Sequence, residues 1–284
     1  MDYNAIEMRI KEEVKKFLQK YDGKVICFIK FGDKAIPGII SSITEVESLV
    51  WNRKLKTLLA TYLKKIDKNE KVCIIGKGCD SRAILELMKE NQVERDNIFI
   101  IGVCCEGMLN ENNELFDACK RCKTKMPIIY DVLICEREEV ESEEESSKEL
   151  DQDLHVIEEM PPKEKLRYWM EMLGRCIACM ACVEVCPMCY CKECVINNKD
   201  VGWFKKTSRK DMFFFHIIRA YHLAGRCIDC GVCEEVCPES IKLTLLYRKV
   251  NKDIKTLFGY EPGISKEKNP LLSYDIERDK GIEK

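Results

Sequence analysis

Eight of the nineteen cysteines fall in two runs of identical spacing, GRCIACMACVEVCP at 174–187 and GRCIDCGVCEEVCP at 225–238. Each reads C-x2-C-x2-C-x3-C-P, the pattern in which three thiolates wind around one [4Fe–4S] cube and the fourth reaches the neighbouring cube. The spacing assigns Cys176, Cys179, Cys182 and Cys237 to one cluster, and Cys227, Cys230, Cys233 and Cys186 to the other. Pro187 and Pro238 turn the chain away after each fourth ligand. Structural zinc uses paired C-x2-C groups, not three cysteines in register followed by Cys-Pro. The chemistry expected of such a pair is one-electron relay, with no catalytic side chain of its own.

Further cysteines surround this core. CPMCYCKEC places Cys189, Cys191 and Cys194 just after a cluster ligand, either as ligands of another metal centre or as spare thiols. Upstream, Cys79 sits in GKGCDSRA, Cys105 in IGVCCEG, and Cys119 and Cys122 in ACKRCKTKMPIIYDVLI. The turn containing Gly76, Gly78, Asp80 and Ser81 opens a helix and could offer backbone N–H groups to a phosphate or flavin. It matches neither G-x-G-x-x-G nor the Walker pattern, and a structural strand-to-helix turn is the other reading. His155, His216 and His222 form no catalytic constellation, while Lys205, Lys206, Arg209 and Lys210 make a local basic patch suited to an acidic redox partner.

The elements that must position these residues follow from periodicity. Helical spacing covers 5–21, and VICFIKF at 25–31 reads as a strand. A second helix is expected over 48–66. KVCIIG (71–76), SRAILELMKEN and NIFIIGV (97–103) make a βαβ unit with a parallel crossover, and PIIYDVLI (127–134) adds a strand. Helices over 163–174 and 211–225 lead into the two cysteine runs, with Gly174 and Gly225 at their C-terminal caps. The expected fold is therefore an α/β domain over 1–135 and an α-rich dicluster ferredoxin-type domain over 163–284. Between them, 136–162 is read as an acidic linker. Residues 136–159 hold twelve acidic and two basic residues, net −10 in a chain of formal charge −2.

Composition narrows the class. With 46% hydrophobic and 34% charged residues the chain has the makeup of a folded globular protein. No stretch approaches the roughly 18 apolar residues of a membrane span, and no secretory signal opens the chain, so a cytoplasmic location is expected. Reduced compartments disfavour disulfides, which makes metal ligation the default use of the cysteines. The positive charge outside the acidic run is spread thinly and gives no nucleic-acid footprint.

Two resemblances extend this reading. The 40 residues between Cys186 and Cys227 make the cysteine runs similar to the helical dicluster ferredoxins of respiratory and heterodisulfide-reductase complexes. GKGCDSRA, IGVCCEG and ACKRCKTKMPIIYDVLI, in that order over residues 24–135, resemble the FrhB/FdhB family, the β subunits of deazaflavin-reducing hydrogenases and formate dehydrogenases. The resemblance implies Cys79, Cys105, Cys119 and Cys122 as ligands of a third [4Fe–4S] cluster; the other reading makes Cys79 and Cys105 small buried apolar residues. It also implies FAD, because family members pass electrons between FAD, clusters and a deazaflavin or nicotinamide. This chain departs from the family in placing a long dicluster segment after the α/β domain. A second likeness, to the CCG domain of heterodisulfide reductases through Cys73, Cys104–Cys105 and Cys119/Cys122, fails in spacing. The expectation is an electron-transfer subunit serving a formate dehydrogenase, hydrogenase or heterodisulfide-reductase-like partner in an anaerobe. A flavoenzyme acting on coenzyme F420 or NAD(P) is the rival.

Overall fold

In a computed structural model, which describes residues 2–135, 152–194, 196, 198, 200, 202, 204, 205 and 208–272, the chain opens with helix α1, Tyr3–Lys20. The Asp2 carboxylate caps it by accepting from the N–H groups of Asn4 and Ala5 at 3.0 and 3.2 Å. Its apolar stripe, Ile6, Ile10, Val14 and Phe17, is buried. Next come β1 (Lys24–Phe31), β2 (Lys34–Ile40), β3 (Val72–Gly76), β4 (Ile98–Val103) and β5 (Val132–Ile134), in sheet order β2-β1-β3-β4-β5. β1 and β2 pair antiparallel, and the other pairs are parallel. Helix α2, Gly78–Lys89, makes the crossover from β3 to β4.

This half departs from expectation at four places. β2 is a strand that alternation did not reveal, because KAIPGII carries Pro37 and Gly38; a proline is tolerated there because β2 is an edge strand. The helix expected over 48–66 is only a 3₁₀ turn, Leu59–Lys65. Its upstream backbone bonds tertiary partners instead, the Val50 N–H donating to the Phe28 carbonyl and the Trp51 N–H to the Glu7 carboxylate, both at 2.9 Å. The strand expected over 127–134 shrinks to Val132–Ile134, because Asp131 turns back to accept from the Ile100 N–H at 2.7 Å. Cys104 and Cys135, just past β4 and β5, are joined as a disulfide, where metal ligation or free thiols were expected.

Part of the acidic linker is helical. The stretch 136–151 lies outside the described residues, but α4 (Gln152–Glu159) follows directly and buries Leu154 and Ile157. Its carboxylates meet α9 (Leu243–Phe258), a helix the sequence reading passed over: Asp153 takes Arg248 at 2.9 Å and Glu158 takes Lys252 at 2.5 Å. Pro162 opens α5 (Pro162–Leu173), where its missing N–H costs nothing. The four-residue helices α6 (Ala181–Glu184) and α8 (Val232–Glu235) sit inside the two cysteine runs. Between them runs α7, Arg209–His222, capped by the Ser208 hydroxyl.

The two halves share one continuous core cluster. Lys64 donates to the carbonyls of Glu184, Cys189 and Cys186 at 3.0, 3.3 and 3.4 Å, and the Thr61 hydroxyl donates to Val185 at 2.9 Å. Glu90, at the end of α2, receives the Arg226 guanidinium at 2.5 and 2.6 Å. The segment after α9 returns to α2, where buried Glu86 accepts from the Tyr260 hydroxyl at 2.9 Å and the Gly263 N–H at 2.6 Å.

Two predictions follow from buried charge. Asp80 is fully buried, accepts from the N–H groups of Ala60 and Lys77 at 3.0 and 3.1 Å, and pairs with the buried Lys77 ammonium at 3.2 Å. Asp80→Ala leaves that ammonium without its carboxylate and is expected to destabilise the fold by about 3–5 kcal/mol, read as a large drop in the thermal unfolding midpoint by circular dichroism; a wild-type midpoint would refute the pairing. His216 on α7 is buried with neither ring nitrogen hydrogen-bonded. Burial, helped by Arg219, lowers its pKa from 6.5 to about 4. The unfolded chain takes up a proton that the folded ring refuses, so this contribution is complete above pH 6.5 and is lost as pH falls toward 4. His216→Leu is expected to flatten the fall in unfolding temperature across that window, and an unchanged slope would count against it.

Candidate iron–sulfur centres

The two cysteine runs adopt the same backbone. Ala178 and Met180 in the first, and Asp229 and Gly231 in the second, all have positive φ, between 52° and 73°. These left-handed residues alternate with ligand positions and curl each loop so that three cysteines face one side. Only Gly231 is a glycine, so three L-residues are held in a region that strains them.

The fourth cysteine of each run has a thiol neighbour in the other run. Burial raises the pKa of Cys176, opposed by the Ala178 N–H donating to its Sγ at 3.3 Å, while the Cys179 and Cys237 thiols add to the rise. Cys186 is held far up, first by its hydrogen bond with Cys189 and then by burial, with Cys230 of the second run contributing. Cys237 thus has a neighbour in Cys176 of the first run, and Cys186 has one in Cys230 of the second. Burial lifts Cys182 and Cys230 to about 11 and Cys227 to about 12. Buried thiols with such values do not ionise alone; a metal that displaces the proton supplies the missing charge.

Arg219 tests whether the residues fit such clusters. It lies on the apolar face of α7 at 2% exposure, with no carboxylate partner among the described residues and its Nε without a hydrogen bond. Its Nη2 donates to the Cys182 carbonyl at 2.9 Å and to Cys189 Sγ at 3.6 Å, and its Nη1 to the Tyr247 hydroxyl. A buried cation needs an anion, and thiolates are the candidates around it. The sequence reading missed Arg219. Its signal was a lone arginine in helical phase with Met212 and Phe215.

The N-terminal cysteines also gather. Cys79 at the start of α2, Cys105 beyond β4, and Cys119 and Cys122 in and after α3 (Asp117–Lys120) line one cavity of about 280 Å³. Burial raises Cys105 to about 11, where Cys119 and Cys122 add to the rise and the Gly107 N–H, 3.3 Å from Sγ, opposes it. The Met108 N–H points to Cys119 Sγ at 3.4 Å. Lys77, 1% exposed, completes the wall. Burial works against its charge, but Asp80 and the Cys79 and Cys105 thiols outweigh it and hold the pKa up. Four converging thiols, N–H donors aimed at sulfur and a buried ammonium suit a [4Fe–4S] cluster. Cys230 of the ferredoxin half lines the same cavity.

Other expected residues are occupied differently. Gly78 lies under the Thr124 carbonyl, which a Cβ would meet at 2.0 Å. Ser81 donates to the Gly78 carbonyl and accepts from the Ile128 N–H, and a Cβ on Gly76 would touch Asp80. The side chains of Asp80 and Ser81 are thus bound within the protein. His155 is exposed on α4 near Glu159, and His222 lines a second cavity of about 360 Å³ together with Cys189, Cys191 and Cys194. Among the described residues no three His, Cys, Asp or Glu side chains close around a single metal ion. Lys205, Arg209 and Lys210 are exposed, and Lys206 lies outside the described residues.

Cysteine loops of this kind, docked on a mixed α/β sheet, define an iron–sulfur protein. The 4Fe-4S binding domain family matches residues 220–241. Along most of its length the chain is similar to an F420-dependent formate dehydrogenase subunit beta of Methanocaldococcus jannaschii, 26% identical across 89% of this chain and 90% of the relative. A second relative, F420-dependent formate dehydrogenase 1 subunit beta of Methanococcus maripaludis, is 23% identical across 84% of this chain and 85% of its own. The expected resemblance to formate dehydrogenase β subunits is therefore found. At 351 positions the first alignment is longer than this whole 284-residue chain, so parts of that relative have no counterpart here.

The N-terminal group yields a direct check. Cys119→Ser combined with Cys122→Ser is expected to lower bound iron by about four per chain while leaving about eight, counted by anaerobic iron and sulfide assay. Unchanged iron would remove these cysteines from the ligand set.

Proposed function

We propose that this protein is the iron–sulfur electron-transfer subunit of a formate dehydrogenase-type complex, passing electrons through three [4Fe–4S] clusters. Cys176, Cys179, Cys182 and Cys237 would hold the first, Cys227, Cys230, Cys233 and Cys186 the second, and Cys79, Cys105, Cys119 and Cys122 the third. A [4Fe–4S] cluster supplies one-electron transfer at a potential set by its surroundings. The observation that carries the reading is contiguity. Cys186 of the first run adjoins Cys230 of the second, Cys189 just beyond that run adjoins Cys182, and Cys230 lines the cavity of the third group.

The chain's own residues build the path and keep water from it. Thr61 and Lys64 hold the first loop against the α/β half, Arg121 grips Asp229 of the second loop at 3.2 Å, and Lys56 pairs with Glu235 at 2.8 Å. Exposed Cys179 makes the first group the one nearest solvent, the natural side for exchange with a partner. Among the described residues no helix is long and apolar enough to cross a membrane.

A flavin-bearing enzyme is the second reading, favoured by the basic residues on the 280 Å³ cavity, including Arg82, Lys123 and Lys125. Against it stands the lining of that cavity, about 280 Å³ and at the lower end of cofactor pockets, where four proposed cluster ligands already converge. Co-purification with a formate dehydrogenase catalytic subunit should give formate-dependent bleaching of the cluster absorbance, about twelve irons per chain, and no flavin on acid extraction. Stoichiometric flavin with deazaflavin turnover would establish the rival. Failure of the clusters to reduce with any partner would refute both.

A further inference from the structure

The two ferredoxin-type groups are not electrostatically separate, because one buried cation bonds the first loop and lines the cavity between the cysteines of the second group. α7 crosses behind the two loops and delivers Arg219 between them. Its Nη2 reaches the carbonyl of Cys182, a ligand of the first group, and the sulfur of Cys189, which is hydrogen-bonded to Cys186 of the second. Arg219 lines one small cavity together with Cys186, Cys227, Cys230 and Cys233, the four cysteines of the second group. The Tyr247 hydroxyl from α9 takes Nη1 and fixes the orientation. No carboxylate neutralises the guanidinium among the described residues, and it is 2% exposed.

We propose that Arg219 is a positioning residue shared by both clusters, whose fixed positive charge raises and ties together their two reduction potentials. Clusters ligated by four thiolates carry net negative charge, and reduction adds more. A cation held in a low-dielectric interior favours the reduced form of each, and its reach to both groups moves them in the same direction. Exposed cations do little of this, because solvent screens them. The inference rests on the cluster ligation proposed above, and iron counting separates the two: wild-type protein with fewer than about eight irons sinks the ligation itself.

The test is an EPR-monitored redox titration of the full-length protein, purified anaerobically, as wild type, Arg219→Gln, Arg219→Lys and Lys210→Gln. Arg219→Gln with full iron is expected to shift both midpoint potentials negative, by tenfold or more in each reduction equilibrium, about 59 mV for a one-electron couple. Arg219→Lys, which keeps the charge, is expected to restore most of the shift. Lys210→Gln, the same charge loss at the exposed start of α7, is expected to leave both in place. Unmoved potentials in Arg219→Gln, a shift of only one cluster, or an equal shift from Lys210→Gln would overturn the proposal. If Arg219→Gln does not retain its iron, Arg219→Lys decides: retained iron at near wild-type potentials supports the charge, whereas lost iron or displaced potentials reassign Arg219 to shape alone.

Discussion

Charge held away from water is the constraint around which this molecule is arranged. Arg219 sits in the ferredoxin half with sulfur, a carbonyl and a phenol for company, and Lys77 sits in the α/β half between its partner Asp80 and the thiols of Cys79 and Cys105. Isolated, each would be costly, because taking an ion out of water is repaid only by close, well-oriented partners. The cysteine groups are those partners once their sulfurs are anionic. Conversely, thiols driven to about 11 or 12 by burial are drawn back toward the ionised form by the nearby cations Lys77, Arg219 and Lys56. Cations and sulfurs therefore stabilise one another, and neither set makes physical sense without the other.

The geometry that brings them together comes from short connections more than from long helices. The 3₁₀ turn Leu59–Lys65 falls short of a full helix, yet its Lys64 gathers three carbonyls in and just after the first cysteine loop. Left-handed residues within the loops do the rest, bending the chain so that consecutive cysteines share a side. The sheet's task is to end its strands together: Cys79 follows β3 and Cys105 follows β4, so parallel pairing in register puts both beyond the C-terminal ends of adjacent strands.

How much of this the sequence disclosed depends on whether the cause was local. The cysteine runs, α1, β1, β3, α2, β4 and α5 were legible because spacing and periodicity are properties of consecutive residues. β2 was hidden by Pro37 and Gly38, whose cost depends on being at an edge. The segment 48–66 looked helical because its many leucines fit any period, and the Glu7 carboxylate that captures its backbone lies 44 residues from Trp51. α4 was masked by its acidity, which is answered by Arg248 and Lys252 far along the chain. The cations Lys77 and Arg219 were invisible as site residues, since only folding shows that a lysine after a strand or an arginine on an apolar face has no water.

The return of the chain's later part to α2 bears on how separable the two halves are. Glu86 is closed by Tyr260 and Gly263, Arg82 holds the Pro262 carbonyl at 2.7 Å, and Glu261, Pro262 and Ile264 form part of the wall around the N-terminal cysteines. The first half to emerge during synthesis thus waits for some of the last residues before its own pocket is finished. A gene split after the acidic stretch would yield an α/β fragment with a buried carboxylate uncovered and a cysteine cavity open on one side. The two halves are modules by sequence pattern and a single unit by assembly.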